Sequence, residues 1–209
     1  ISEHDGLDKG IKYLEDELTR TVLKAPLYVG LAEIYLRKNN TADAQKAIDS
    51  ALAVDPKYYY ALKVRGDIFQ SLEKYKEAEE VYTSYLAVNN SDPSARIEKY
   101  KIAMRKPDYV AARKEMMLLL NQYPKYPGGH YMLGEVALRA LNYQDALAMA
   151  ELELKNNPGQ IQALVLSGDA LKKMGHYLKA LERFNQALLA DSNYIPALKG
   201  AGYTNHRLK

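Results

Sequence analysis

The sequence predicts an all-α solenoid of stacked helix pairs, on three observations. Residues recur at a fixed interval of 34: Ala44, Ala78, Ala112, Ala146 and Ala180 form one series, and Tyr75, Tyr109, Tyr143 and Tyr177 another. A period in that range marks a repeat architecture. Within one period, apolar residues fall three and four apart on both sides of a short turn. Leu164, Gly168 and Leu171 precede Met174-Gly175-His176-Tyr177, and Ala180, Phe184, Ala187 and Leu188 follow it. That is the pattern of two short amphipathic helices. Finally, Pro56, Pro124 and Pro158 share one place in the frame, where the ring ends the second helix and redirects the chain.

Taken in order, residues 1–24 hold one helix, about Leu7 to Thr19, with Leu7, Ile11, Leu14 and Leu18 on one face and Gly10 where the repeated alanine belongs. It is expected to be the second helix of a partial repeat. Full repeats follow at 25–58, 59–92, 93–126, 127–160 and 161–194. Residues 195–209 form the first helix of another, with Leu198, Ala201 and Gly202 one period after Leu164, Ser167 and Gly168. The whole of 1–209 is therefore expected to be a single array. The half-repeat at each end predicts a piece of a longer one, because terminal repeats need polar outer faces. Leu198, Ala201 and Tyr203 lack a following helix to cover them, which predicts self-association through the ends.

The small residue at repeat position 8 and the alanine at position 20 lie where paired helices approach. A larger side chain there overpacks, at a cost of about 1–3 kcal/mol. Ala146→Arg is thus expected to be severely destabilising and Glu153→Ala mild. The tyrosine at position 17 is expected to start the second helix and pack in the turn. The third repeat departs from the pattern, with Lys99 and Tyr100 at positions 7 and 8. A one-residue slide would bury Ile97, Tyr100 and Met104 instead, with Asp92 capping the helix, Pro93 at its first position and a shorter turn at Arg105-Lys106-Pro107-Asp108. Such a slide turns the helix by about 100°.

The residues also carry a family resemblance. The first repeat places Tyr28, Leu31, Ala32, Tyr35, Ala44, Ile48, Ala51 and Pro56 at positions 4, 7, 8, 11, 20, 24, 27 and 32. This resembles the tetratricopeptide repeat, whose pattern there is a large aromatic, Leu, Gly, Tyr, Ala, Phe, Ala and Pro. The fifth repeat matches at Leu164, Gly168, Leu171, Ala180, Phe184 and Ala187, with Ser192 in place of proline. The resemblance covers essentially the whole chain. It implies a right-handed superhelix whose first helices line a concave groove that binds a peptide or partner protein.

Composition narrows the function. A net charge of +3 with interspersed acids and bases lacks the concentrated basic face of a nucleic-acid protein. The absence of cysteine removes disulfides, thiol nucleophiles and cysteine–zinc sites, and leaves cytoplasm and bacterial periplasm equally open for a soluble chain. No apolar run approaches a membrane span. No catalytic constellation, metal set or cofactor motif emerges. His130 stands at a normally buried aromatic position and is expected to be packed, and His176 to lie in an exposed turn. A non-enzymatic scaffold within a larger assembly is the expectation, with a docking arm for an enzyme lying outside these residues as the rival. The groove stripe supplies the candidate partner-binding residues, Tyr60, Lys63, Asp67, Lys101, Arg105, Tyr131 and Glu135. Acid-before-base pairs Glu33–Arg37, Glu135–Arg139 and Asp169–Lys173 are expected along it, at about 0.2–0.5 kcal/mol each. The carboxylate clamp of some relatives is excluded. Where it needs Lys and Asn, this chain has Val29/Glu33, Lys63/Asp67, Tyr131/Glu135 and Val165/Asp169, and the acids repel a terminal carboxylate.

Overall fold

A computed structural model describes residues 3–209, with side chains from Gly6 onward. Among these residues there are twelve α-helices and no strand: α1 (Glu3–Arg20), α2 (Lys24–Arg37), α3 (Thr41–Val54), α4 (Tyr59–Ser71), α5 (Tyr75–Val88), α6 (Ser94–Arg105), α7 (Tyr109–Gln122), α8 (Gly129–Arg139), α9 (Tyr143–Asn156), α10 (Ile161–Lys173), α11 (Tyr177–Ala190) and α12 (Ile195–Leu208). They form two compact units, residues 1–102 and 103–209, which divide within α6.

The turns set the phase. The first helices α2, α4, α8 and α10 end at Arg37, Ser71, Arg139 and Lys173, 34 residues apart or a multiple of it. Two residues on, Asn39, Glu73, Leu141 and Gly175 adopt left-handed backbone, with φ of 55°, 58°, 62° and 83°. The next amide reaches back to close the helix. Asn40 N, Lys74 N, Asn142 N and His176 N donate to Tyr35 O, Phe69 O, Ala137 O and Leu171 O at 2.8–2.9 Å. This is a Schellman closure, which satisfies carbonyls orphaned at the helix end. The residue that completes it also opens the second helix. Asn40 accepts from Asp43 N and Asn142 from Asp145 N through their side chains, each such cap being worth about 1 kcal/mol. The position-17 tyrosines begin α5, α7, α9 and α11 as expected.

Second helices end at Val54, Val88, Gln122, Asn156 and Ala190, again in phase. Proline follows two residues later in three of the five. The fifth repeat has none, and Asp191 takes over by accepting from Asn193 N at 2.9 Å, an Asx turn that draws the backbone out of the helix.

Packing follows from the small residues. In the second unit Phe184 of α11 is fully buried, which stabilises by about 1.5–3 kcal/mol. Its ring lies against two glycines. A Cβ on Gly168 would come within 2.7 Å of it, and one on Gly200 within 2.4 Å. In the first unit Tyr82 fills the equivalent space, and a Cβ on Gly66 would lie 2.5 Å from its ring. Ala44, Ala78, Ala112, Ala146 and Ala180 have no exposed surface, as their position required. Leu14 and Ile11 of α1 pack on the first core, and α1 starts four residues earlier than expected.

Three expectations are corrected. The third repeat is not slid. Tyr100 and Met104 are buried as that slide expected, but Ile97 is only half-buried, and Ala95, Ile102 and Ala103 are buried at positions 3, 10 and 11, the places of Gly129, Val136 and Ala137, which are also buried. The reason lies in the turn. Asp108 N bonds Ala103 O at 2.8 Å and the Asp108 carboxylate accepts from Ala111 N, which anchors the register where every other turn has it. Asp92 does receive the Ser94 amide at 2.8 Å. Burial alone would raise its carboxyl, but the Tyr85 hydroxyl and Ser94 hold it below its ordinary value. On α12, Ala201 is buried rather than open, and Gly202 faces space. Lastly, Glu153 is not a bland surface residue but a buried one. Its carboxylate accepts from Gly128 N at 3.0 Å, His130 N at 3.1 Å and Tyr131 N at 3.3 Å. It therefore caps α8, whose N-terminal amides attract negative charge. His130 packs beside it, its Nδ1 3.9 Å from Glu153 Oε2, while His176 is exposed at the start of α11.

Candidate functional site

The seven candidate residues divide between the units, with Tyr60, Lys63, Asp67 and Lys101 in the first and Arg105, Tyr131 and Glu135 in the second. In the first unit α4 carries three of them at helical spacing. Tyr60 is 51% exposed and its ring lies 4.3 Å from that of Tyr59. Lys63 Nζ sits 3.4 Å from Asp67 Oδ2. Asp67 is less available than its position suggests, because Oδ1 accepts the Tyr82 hydroxyl at 2.7 Å. That bond ties α4 to α5, and burial, followed by this bond to Asp67, holds the Tyr82 hydroxyl protonated well above the ordinary tyrosine range. Lys101 is exposed and donates to Glu98 at 2.6 Å.

In the second unit, Tyr131 and Glu135 of α8 share a hollow of about 260 Å³ with Gln162, Val165 and Asp169 of α10 and Pro196 of α12. The walls are thus three successive first helices. Glu135 accepts from Arg139 at 2.9 Å, as the i,i+4 pattern predicts, whereas Asp169 pairs with Lys172 rather than Lys173. Burial, then the Glu135 carboxylate, push the Tyr131 hydroxyl up to about 12, so at neutral pH it is a hydrogen-bond donor. Arg105 is exposed at the last position of α6.

Gln162, Val165 and Asp169 were not among the candidates, yet they stand 102, 34 and 34 residues after Tyr60, Tyr131 and Glu135. The 34-residue frame carries the signal for all three. Among the described residues, no group of three or more His, Cys, Asp or Glu is placed to hold a metal ion, and no helix is long and apolar enough to cross a membrane.

This architecture of phased helix pairs with first helices lining a hollow defines a helical-repeat protein. Residues 29–96 and 161–194 each match the tetratricopeptide repeat family, so these stretches are tetratricopeptide repeats. The mitochondrial import receptor subunit TOM34 of Mus musculus is 28% identical over 191 residues, which cover 87% of this chain and 59% of that protein. The chain thus spans about three fifths of that relative's length. Among solved structures, YrrB, described as a tetratricopeptide protein with an unusual peptide-binding site, superposes with a TM-score of 0.72 at 17% identity, over 89% of this chain and 96% of that one. MamA also gives 0.72, at 19% identity over 80% and 92%. Identities this low show the fold alone.

Proposed function

We propose that the chain is a non-enzymatic interaction scaffold that binds a peptide or partner protein along a stripe of first helices. The hollow walled by α8, α10 and α12 carries this reading, because it places a half-buried tyrosine donor among paired charges of both signs. The import receptor and the peptide-binding neighbour support the same class of role. A fitting ligand has mixed charge and an apolar anchor, extended or helical. Tyrosine suits the anchor pocket, since it concentrates binding energy at hot spots, while Lys63, Lys101, Arg105 and Glu135 set the register. Affinity falls with salt, because exposed charges are screened beyond about 10 Å at 0.1 M.

Affinity capture from source cells supplies the ligand, and titration of variants tests the stripe. Tyr60→Ala, Arg105→Ala and Tyr131→Ala are each expected to weaken binding with little change in melting temperature. Normal binding by all three, together with its loss in Glu79→Lys on a second helix, would place the site elsewhere.

A further inference from the structure

The repeat frame provides an internal control for the outer faces of the second helices. At positions 18, 25 and 26 the first repeat has Ala42, Asp49 and Ser50, and the second has Lys76, Thr83 and Ser84. The fourth has Gln144, Glu151 and Leu152, and the fifth Leu178, Asn185 and Gln186. Each set contains at least one polar residue, as a solvated face requires. In the third repeat the same three positions are Val110, Met117 and Leu118, all apolar, and the structure leaves them 83%, 54% and 39% exposed.

These three line a hollow of about 630 Å³ on the second unit, floored by α8. It falls within the range of ligand sites, about 300–1,000 Å³. Spacings of seven and eight residues put the three side chains on one stripe of α7, about 12 Å long at 1.5 Å per residue. The rim is basic. Arg113 and Lys114 line the hollow and no acid does; Arg113 reaches out of α7 to Asp145 at 3.4 Å. No other repeat has two cations at these positions, which hold Gln45 and Lys46, Glu79 and Glu80, Leu147 and Ala148, and Leu181 and Glu182.

We propose that this face of α7 is a second docking site, which takes an acidic amphipathic helix of a partner protein. An apolar stripe of two turns fits the i, i+3, i+4, i+7 anchors of such a helix. Met117 adapts its shape to the anchor, and Arg113 and Lys114 meet the carboxylates that flank it. The site is independent of the first-helix stripe.

The test uses two labelled synthetic helical peptides with leucine at i, i+3, i+4 and i+7, one filled with glutamate and the other with lysine, titrated against the full chain by fluorescence anisotropy. The glutamate peptide is expected to bind, to weaken as salt rises, and to bind at least about tenfold better than its lysine counterpart. Met117→Asp and Lys114→Glu are each expected to weaken it about tenfold, while Tyr131→Ala leaves it unchanged. Circular dichroism confirms folding of each variant, and Val110→Asp, at the most exposed position, stands in for any that fails. Equal binding of the two peptides, or glutamate-peptide binding that survives these charge insertions, overturns the proposal. So does a concentration-dependent dimer that Leu118→Asp abolishes with no peptide binding, which assigns the face to a second copy of the chain.

Discussion

Glu153 shows how much one side chain can contribute to a repeat. Its carboxylate is 3% exposed and meets three amides at the start of α8, at 3.0, 3.1 and 3.3 Å. Helix α8 begins after Gly128, whose φ is 77° and which offers no side-chain cap of its own. The cap is therefore supplied from α9, a helix later in the chain. Hydrogen bonds to a charged acceptor contribute about 1.5–3 kcal/mol, and stranding their partners costs more than a neutral loss. Glu153→Ala is expected to destabilise by about 2–3 kcal/mol, and Glu153→Gln by less, since the amide oxygen still accepts. Denaturant titration of both variants measures it, and a loss under 0.5 kcal/mol, the ordinary surface value, would refute the capping role. The sequence hid this because local capping signals join residues three or four apart, whereas Gly128 and Glu153 are 25 apart.

At the scale of the element, the turns were legible in part. Tyrosine at position 17 named the start of the second helix in four repeats, and the periodic ends of the first helices followed. The third repeat keeps its register because Asp108 anchors the turn through its amide and carboxylate, so Tyr100 occupies position 8 in place of a small residue. Apolar pattern alone cannot fix phase where a turn does. The left-handed residue at position 15 is legible in the sequence at Gly175 and Asn39, residue types that favour that backbone, but not at Glu73 or Leu141. Leu141 takes φ of 62° with its side chain 71% exposed, so it carries the steric cost of that backbone, about 1–2 kcal/mol, and its side chain is largely left in water. Leu141→Gly is therefore expected to raise stability by about 1 kcal/mol, partly offset by greater freedom of the unfolded chain. A thermal melt that falls instead would mean that the leucine contacts outweigh the backbone cost.

For the molecule as a whole, stacking explains which surfaces are covered. In the fifth repeat Leu164 is 6% exposed and Gly168 buried, because Phe184 and Ala187 of α11 lie over α10. One period on, Leu198 is 47% exposed and Gly202 meets nothing within 4 Å, because no described helix follows α12. Ile195, three residues before Leu198, is 61% exposed and extends the same stripe. Tyr203 belongs to a different face, where Lys172 and Arg207 lie 5.7 and 5.6 Å from its ring. The stripe matches the surface on which a second helix packs elsewhere in the chain, so another copy can offer its own helices to it, and exposed apolar strips of this kind seek partners. Concentration-dependent association through α12 is the expected outcome, seen as a rise in mass by light scattering across a dilution series. Leu198→Glu should abolish the rise without lowering the melting temperature, since that side chain is half in water already. A constant monomer mass at high concentration, or association untouched by Leu198→Glu, would show that this stripe is not the contact.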